Sequence, residues 1–465
     1  MVARVPLIEL LSRVYPDRRD RYGYTVLSRS RAIRAIKRSD DEAVRRLIDT
    51  DVLDTLVTAQ AILPPRIVRG RQDEYVFLVQ KRIRPALVPS EWSPTMFADA
   101  AQLVLRAEKA LYPHGMTVDD PHPWNVLFDE GKPYIIDMGA FNVVGTGLHW
   151  SAKLDADIWP AVSVFNAFFL NVVTLAAAGR GHHVRRALTD WNPIPGSDTA
   201  LLLLKSPATL FPFLAIRLHT VIFRWAWWLL TPMVSASRKQ KLKSTYLVVL
   251  SRYVERMRAS IVRRMTSVDT GTNISIGTAD AIQTLVDQHP SRRFLVFGAN
   301  RKTVDYIHHA AGKARLLVVS PDDALIDGLY RLAPGRMTVA VMDLRSPTPG
   351  AGPGNRWISP AVERYKSEVG VFFFDLEELV IEKCLTVSEL IQAARNMSDV
   401  AALIVFGKLP HDHDVTGRDY GQTADQVLLA CLEQNLDAFE VIHNDSSEMA
   451  VVFGRNNLSR PTYEG

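Results

Sequence analysis

Phe294-Leu295-Val296-Phe297-Gly298-Ala299-Asn300 is a short apolar run that stops at a glycine, directly before a polar stretch able to form a helix. The same unit returns twice. Arg315-Leu316-Leu317-Val318-Val319 leads into Ser320-Pro321-Asp322, and Thr338-Val339-Ala340-Val341-Met342 leads into Asp343-Leu344. Residues 369–374 and 401–406 add a fourth and a fifth run, with helical patterns at 301–312, 322–332, 384–396 and 422–435. Short β-rich runs alternating with helices predict a mostly parallel sheet covered on both faces. Residues 438–443 and 449–453 follow one another without a helix between them, which predicts two antiparallel strands closing the sheet.

The fold class is therefore α/β, with a Rossmann-like, seven-stranded sheet over residues 285–460. A chain of 465 residues is too long for one ordinary domain, so more must precede it. Residues 1–150 mix Arg-rich helical stretches with a strand at 75–79, a helix at 94–112 and a loop–strand–turn–strand unit at 114–141, an α+β region. Residues 151–266 read as a tryptophan-rich helical subdomain, and the polar, glycine-containing stretch that begins at Ser267 predicts a linker over 267–284. With 47% hydrophobic and 23% charged residues the composition is that of a globular protein able to form more than one core. The net charge of +5 is too small to be a specific nucleic-acid signal. Two cysteines, Cys384 and Cys431, fit buried thiols in a reducing, cytoplasmic setting, and the first residues hold no apolar run long enough for a signal peptide.

In a parallel sheet, ligands bind at the carboxyl ends of the strands. Gly298, Ala299 and Asn300 form the first such end. A glycine there admits close backbone approach, and the following helix N-terminus receives a carboxylate. Ser320 and Asp322 stand at the second end, where a carboxylate would accept hydrogen bonds from a ribose diol, and Asp343-Leu344 at the third, where an acid and its neighbour would contact an adenine. Asp375, Glu377 and Glu378 follow the fourth run, either as a base or as caps of the next helix. His411-Asp412-His413-Asp414 has metal-like residue types without a ligand spacing.

These three units, ending in Asp343-Leu344-Arg345-Ser346-Pro347-Thr348-Pro349, resemble a bacterial class I S-adenosylmethionine-dependent methyltransferase-like family with a kinase-like N-terminal region. The paired closing strands suit a methyltransferase sheet better than a dehydrogenase sheet. The resemblance implies S-adenosylmethionine as cofactor, held by Gly298, Ala299, Asn300, Ser320, Asp322, Asp343 and Leu344. It also implies an acid where Val296 stands, a second glycine where Lys302 stands, and an acid where Ser320 stands. Losing two charge-assisted hydrogen bonds weakens binding by about two to four powers of ten.

The N-terminal region carries a second constellation. Asp120, Asn125 five residues later, and Asp137 at the end of the next hairpin resemble the catalytic centre of kinase-like phosphotransferases. There the first Asp orients an acceptor hydroxyl while Asn125 and Asp137 would hold magnesium. No Gly-rich phosphate loop precedes it, and Lys81 is a poor substitute for the nucleotide-binding lysine. The bland alternative is a hairpin fixed by local hydrogen bonds. The same stretch also matches the N-terminal region of the suspected family: Ile83 and Pro85, Glu91-Trp92, Asp99-Ala100-Ala101, Gly115-Met116 and Pro133 all stand in its pattern.

Leu214, Leu218, Val221, Trp225 and Trp228 recur at helical spacing, interrupted by Arg217 and Arg224, and residues 235–265 hold nine Lys/Arg against one acid, Glu255. A buried helix and a helix lying in a membrane surface both fit, so residues 211–265 are a candidate peripheral membrane contact. Three functions stay open: a methyltransferase or its diverged relative, a non-catalytic scaffold with a degenerate cofactor site, and a magnesium-dependent phosphotransferase. No motif names the substrate, small-molecule or macromolecular.

Overall fold

The computed structural model describes residues 18–454 apart from 21, 39–40, 50, 70–74, 145–157, 231–232, 234, 266–273, 291, 333–336, 351–357, 383–384, 408–423 and 445–446. Cys384 and His411 to Asp414 lie outside the described residues. The chain divides into two compact units, Met1–Arg264 and Met265–Gly465.

Unit 1 begins with strands β1 (Arg18–Asp20), β2 (Gly23–Leu27), β3 (Arg31–Lys37), β4 (Arg66–Arg69) and β5 (Tyr75–Lys81). They form an antiparallel sheet in the order β1-β2-β3-β5-β4. This corrects the sequence reading, which had a single strand, at 75–79, before residue 90; the Arg-rich helical part of that reading is met at Glu42–Asp49. The heptapeptide Arg-Ala-Ile-Arg-Ala-Ile-Lys of β3 alternates: Ile33 and Ala35 are buried against Phe77 on one face. Arg34 therefore points to the other. Two short helices, α1 (Glu42–Asp49) and α2 (Val52–Thr58), lie between β3 and β4 in the chain.

The long helix α3 (Pro94–Leu111) starts with Ser93 as N-cap and Pro94 in its first turn, and it is buried along most of its length. Four short strands follow: β6 (Met116–Val118), β7 (Val126–Asp129), β8 (Lys132–Ile135) and β9 (Phe141–Val143). β6 pairs with β9 and β7 with β8, both antiparallel. Helices α4 (Val162–Phe165), α5 (Asn171–Ala177), α6 (Gly181–Thr189), α7 (Gly196–Leu203), α8 (Pro207–Leu230) and α9 (Ala236–Arg264) complete the unit. Among the described residues, no helix is long and apolar enough to cross a membrane.

Unit 2 contains helix α10 (Ile276–Gln288), whose N-cap is Ser275, so the expected linker over 267–284 is a helix in its second half. Ala281, Ile282, Leu285 and Val286 give that helix a buried face, a periodicity hidden behind its small and polar neighbours. The sheet has seven strands: β10 (Arg293–Phe297), β11 (Arg315–Ser320), β12 (Met337–Val341), β13 (Ser367–Asp375), β14 (Ser398–Gly407), β15 (Glu440–Asn444) and β16 (Glu448–Gly454). Their order is β12-β11-β10-β13-β14-β16-β15. β10 to β14 are mutually parallel. β16 runs antiparallel to both β14 and β15, so it is the one reversed strand in the expected closing pair. Helices α11 (Arg301–Ala310), α12 (Asp323–Leu332), α13 (Ala361–Arg364), α14 (Val387–Met397) and α15 (Ala424–Asn435) lie between the strands in the chain. Val296, Val318, Val371 and Leu403 are fully buried, as a parallel sheet covered on both faces requires.

One buried ion pair anchors unit 1. Glu108 of α3 and Lys243 of α9 have essentially no solvent exposure and meet at 2.5 Å. The Glu108 carboxylate also accepts the Thr117 hydroxyl at 2.9 Å and the Val118 amide at 2.7 Å, which ties it to β6. Burial pushes the Lys243 ammonium below its usual range, and the charge of Glu108 opposes that shift. The ammonium also sits 3.8 Å from the centre of the Tyr112 ring. Removing one member leaves the other as an uncompensated buried charge, which costs about 3–5 kcal/mol. Glu108→Ala is therefore expected to lower the urea midpoint strongly, and Glu108→Leu combined with Lys243→Met to lower it less than either single change. Tryptophan fluorescence reads this, because eight of the nine tryptophans precede residue 264.

Candidate functional site

The carboxyl edge of the unit 2 sheet carries the first candidate site. Phe297 of β10 is in register with Val319 of β11 and Phe372 of β13, and Ser320 with Val341 of β12. Gly298, Ser320 and Asp343 therefore leave three adjacent strands at the same edge. Two strand spacings, about 10 Å, separate the first from the third.

Gly298 has φ +73°, and a Cβ there would stand 2.3 Å from the Phe373 carbonyl oxygen. Its amide donates to the Val319 carbonyl at 3.1 Å. Glycine is thus required by the turn and by the neighbouring strand, independently of any ligand. Ala299 is buried, and Asn300 caps α11, its Oδ1 accepting the Thr303 amide at 3.0 Å. Lys302 is exposed in the first turn of that helix, and Val296 lies inside the sheet.

At the second strand end the Ser320 hydroxyl accepts the Asp322 amide at 3.2 Å. The Asp322 Oδ1 accepts the amides of Ala324 and Leu325 at 2.8 and 3.2 Å, so this carboxylate caps α12. At the third, Asp343 is gripped by Arg345. The guanidinium reaches Oδ2 through Nη2 at 2.7 Å and through Nε at 3.1 Å, and the Arg345 amide donates to Oδ1 at 2.9 Å. These hydrogen bonds hold the Arg345 guanidinium above its usual range. Leu344 beside it is half-buried. Asp375 at the fourth end accepts the Glu378 amide at 3.1 Å, the capping role among the two open readings.

The edge fits S-adenosylmethionine in part. Backbone at an exposed left-handed glycine and a carboxylate at the third strand end are present. The acid that would take both ribose hydroxyls is a serine, and the nearby Asp322 is spent on its helix.

In unit 1 the second constellation comes together. Asn125 Nδ2 donates to the Asp120 carbonyl at 3.0 Å and to its Oδ2 at 3.4 Å, while His122 Nε2 lies 3.0 Å from the same carboxylate oxygen. The amide of Ile136 donates to the Asn125 carbonyl at 2.8 Å, which joins this loop to the segment that holds Asp137. Asp137 Oδ1 accepts the Gly139 amide at 2.8 Å and pairs with Arg34 Nη1 at 2.9 Å. Arg34 Nη2 also donates to the Ile136 carbonyl at 3.3 Å. The residues do not fit magnesium as arranged, because Oδ1 of the carboxylate that would take the ion already pairs with a guanidinium and Asn125 turns its amide nitrogen toward Asp120. Among the described residues, no group of three or more His, Cys, Asp or Glu is arranged to hold a metal ion.

Sequence reasoning missed Arg34, 103 residues from its partner, because it placed no strand before residue 75. It also missed Trp191, which stacks on Trp124 with ring centroids 4.4 Å apart and planes 9° from parallel. Trp191 has φ +58°, a conformation that no local pattern announces. Lys81 pairs instead with Asp129 at 2.7 Å and Glu130 at 3.1 Å at the β7–β8 turn. Burial lowers its pKa, but those contacts outweigh burial and hold it above the usual value.

No family model and no curated protein matches the chain. Among solved structures it is similar to EvdMO1, at 15% identity over 43% of this chain and 47% of that one, with a TM-score of 0.29. The chain thus spans about half the length of EvdMO1, whose N-terminal domain has been solved with SAH bound. It is also similar to cofactor-bound Rv0187 from MTB, at 16% identity over 42% of this chain and 86% of that one, with a TM-score of 0.28. A third is PH1948 from Pyrococcus horikoshii, a putative RNA methyltransferase by its description, at 10% identity over 42% and 93% of the two chains and a TM-score of 0.24. Likenesses at these TM-scores carry no assignment, and the fold rests on the strand order itself.

Gly298→Ala is expected to destabilise unit 2 by about 1–3 kcal/mol through the left-handed backbone, with the Phe373 contact adding to it. Calorimetric unfolding checks this, and an unchanged transition would remove the backbone argument.

Proposed function

We propose that unit 2 is a diverged class I methyltransferase domain that takes S-adenosylmethionine at the carboxyl edge of its sheet. The observation that supports this is the alignment of Gly298, Ser320 and Asp343 on three adjacent parallel strands, in a sheet whose one antiparallel strand is β16. In this reading Gly298, Ala299 and Asn300, with the first turn of α11, face the amino-acid end of the cofactor. Ser320 and the backbone before Asp322 face the ribose, and Asp343 with Leu344 faces the adenine. The bound cofactor supplies a methyl group activated on a sulfonium. The chain's own part is to orient that group and to exclude water from it.

Arg345 competes with the cofactor for Asp343 in this arrangement. Releasing an exposed, solvent-screened pair of this kind costs little. Binding therefore requires a guanidinium that is nearly half exposed to swing aside. Two variants with opposite signs follow. Asp343→Ala is expected to weaken S-adenosylhomocysteine binding by about tenfold or more, the value of a charge-assisted hydrogen bond. Arg345→Ala is expected to tighten it by roughly two- to fivefold. Isothermal titration of the full chain with S-adenosylmethionine and S-adenosylhomocysteine reads both. A folded protein that takes up neither ligand at millimolar concentration would overturn the proposal in favour of a scaffold.

A second reading concerns unit 1. The order β1-β2-β3-β5-β4, the pairs β6–β9 and β7–β8, and the placement of Asp120, Asn125 and Asp137 between them support a kinase-like scaffold. Kinases carry their phosphate-binding lysine on the third strand, and β3 here supplies Arg34. Its guanidinium occupies the charge position that a metal would fill, which favours a scaffold role over phosphoryl transfer. The wild-type chain is expected to show no rise in melting temperature with magnesium and ATP. A rise of several degrees that Asp137→Ala abolishes would reverse this reading.

A further inference from the structure

Helix α8 is apolar on two faces, and only one is covered. Phe213, Ile216, Thr220 and Trp227 are buried. Phe223 stacks on Tyr246 of α9 with ring centroids 4.5 Å apart, and the Tyr246 hydroxyl donates to Thr220 Oγ1 at 3.4 Å. That packing fixes the helix on unit 1 and leaves the other side outward. Phe211, Leu214, Leu218, Ile222, Trp225 and Leu229 recur there at intervals of three and four residues, with exposures of 69% at Phe211, 61% at Leu218 and 56% at Trp225. At about 100° per residue these positions fall within an arc of roughly 80°, widened to about 120° by Val221 and Trp228. Eleven of the eighteen exposed large apolar side chains among the described residues lie between 201 and 233. A continuous outward stripe of this kind exceeds the scattered apolar residues of an ordinary surface.

The charge around the stripe decides what it fits. From residue 199 to residue 254 there is no Asp or Glu, while eight Lys and Arg occur, one of which, Lys243, lies in the buried pair with Glu108. Arg217 and Arg224 fall at one border of the outward arc, and Arg238 and Lys241 are exposed at the start of α9. An apolar stripe containing two exposed tryptophans and bordered by arginines, in a stretch of chain that holds no acid, matches an anionic lipid surface. Tryptophan favours the headgroup boundary, arginine extends its charge to the phosphates, and the absence of acids avoids repulsion. The two arginines within the helix suit a helix lying in the interface plane.

We propose that α8, with the basic start of α9, docks unit 1 onto an anionic membrane surface. Flotation of the full chain with phosphatidylcholine vesicles, with and without phosphatidylglycerol, tests it. The wild-type protein is expected to float only with phosphatidylglycerol present and to be released by high salt. Leu218→Asp with Trp225→Asp is expected to reduce the bound fraction about tenfold or more, with an unchanged circular dichroism spectrum because both side chains point outward. Arg238→Glu with Lys241→Glu is expected to do the same at low salt. Failure of the wild-type chain to float with either vesicle would overturn the proposal. So would sedimentation velocity showing a dimer that Leu218→Asp with Trp225→Asp dissociates, since the stripe would then face a second copy of this chain.

Discussion

A carboxylate withdrawn from bulk water needs a positive charge or several hydrogen-bond donors, and at each important place in this protein the chain supplies its own. Glu108 has Lys243, Asp137 has Arg34, and the fully buried Asp327 has Arg331 at 3.3 Å, while the exposed Arg345 pairs with Asp343. The first pair lies where water is excluded and fixes α3, β6 and α9 together, so its loss exposes the full desolvation penalty. The Arg345 pair lies near the surface, where solvent and salt screen it, and its value is correspondingly small. The same chemical motif thus holds a core in one place and covers a candidate ligand position in another.

This difference sets what each unit is able to do. In unit 2 the backbone supplies what the proposed cofactor site would use: the left-handed turn at Gly298, the helix start behind Asn300 and three strand ends in register. Several side chains that would sharpen it serve other ends. Asp322 caps a helix, Val296 fills the sheet, and Asp343 is paired with a guanidinium that is nearly half exposed. In unit 1 the acids are held by side chains and backbone on several sides, and the geometry is that of a fixed hairpin with a cation built in.

The alternation of strand and helix after residue 290 was legible because a parallel sheet buried on both faces leaves uninterrupted apolar runs, and those runs match β10 to β14 within a few residues. The positions of Gly298, Ser320 and Asp343 followed from the same pattern, since each stands where a run ends. Before residue 90 every strand but β5 went unforeseen. Arginine every third residue in Arg-Ala-Ile-Arg-Ala-Ile-Lys imitates a helical face, while the two-residue period that governs it is visible only against Phe77. Helix α10 was hidden by a polar, glycine-containing start that also suits a linker.

Sequence by itself determined the α/β class of the C-terminal half, the order of its elements and the short list of residues at strand ends, because local periodicity and turn chemistry act over a few residues. Only the tertiary structure decided what each of those residues pairs with. Arg34 and Asp137 are 103 positions apart, and Trp124 and Trp191 come from different elements. The outward side of α8 differs from its inward side only by what packs against it. Long-range pairing, burial and charge neutralisation depend on distances that the linear order of residues does not contain.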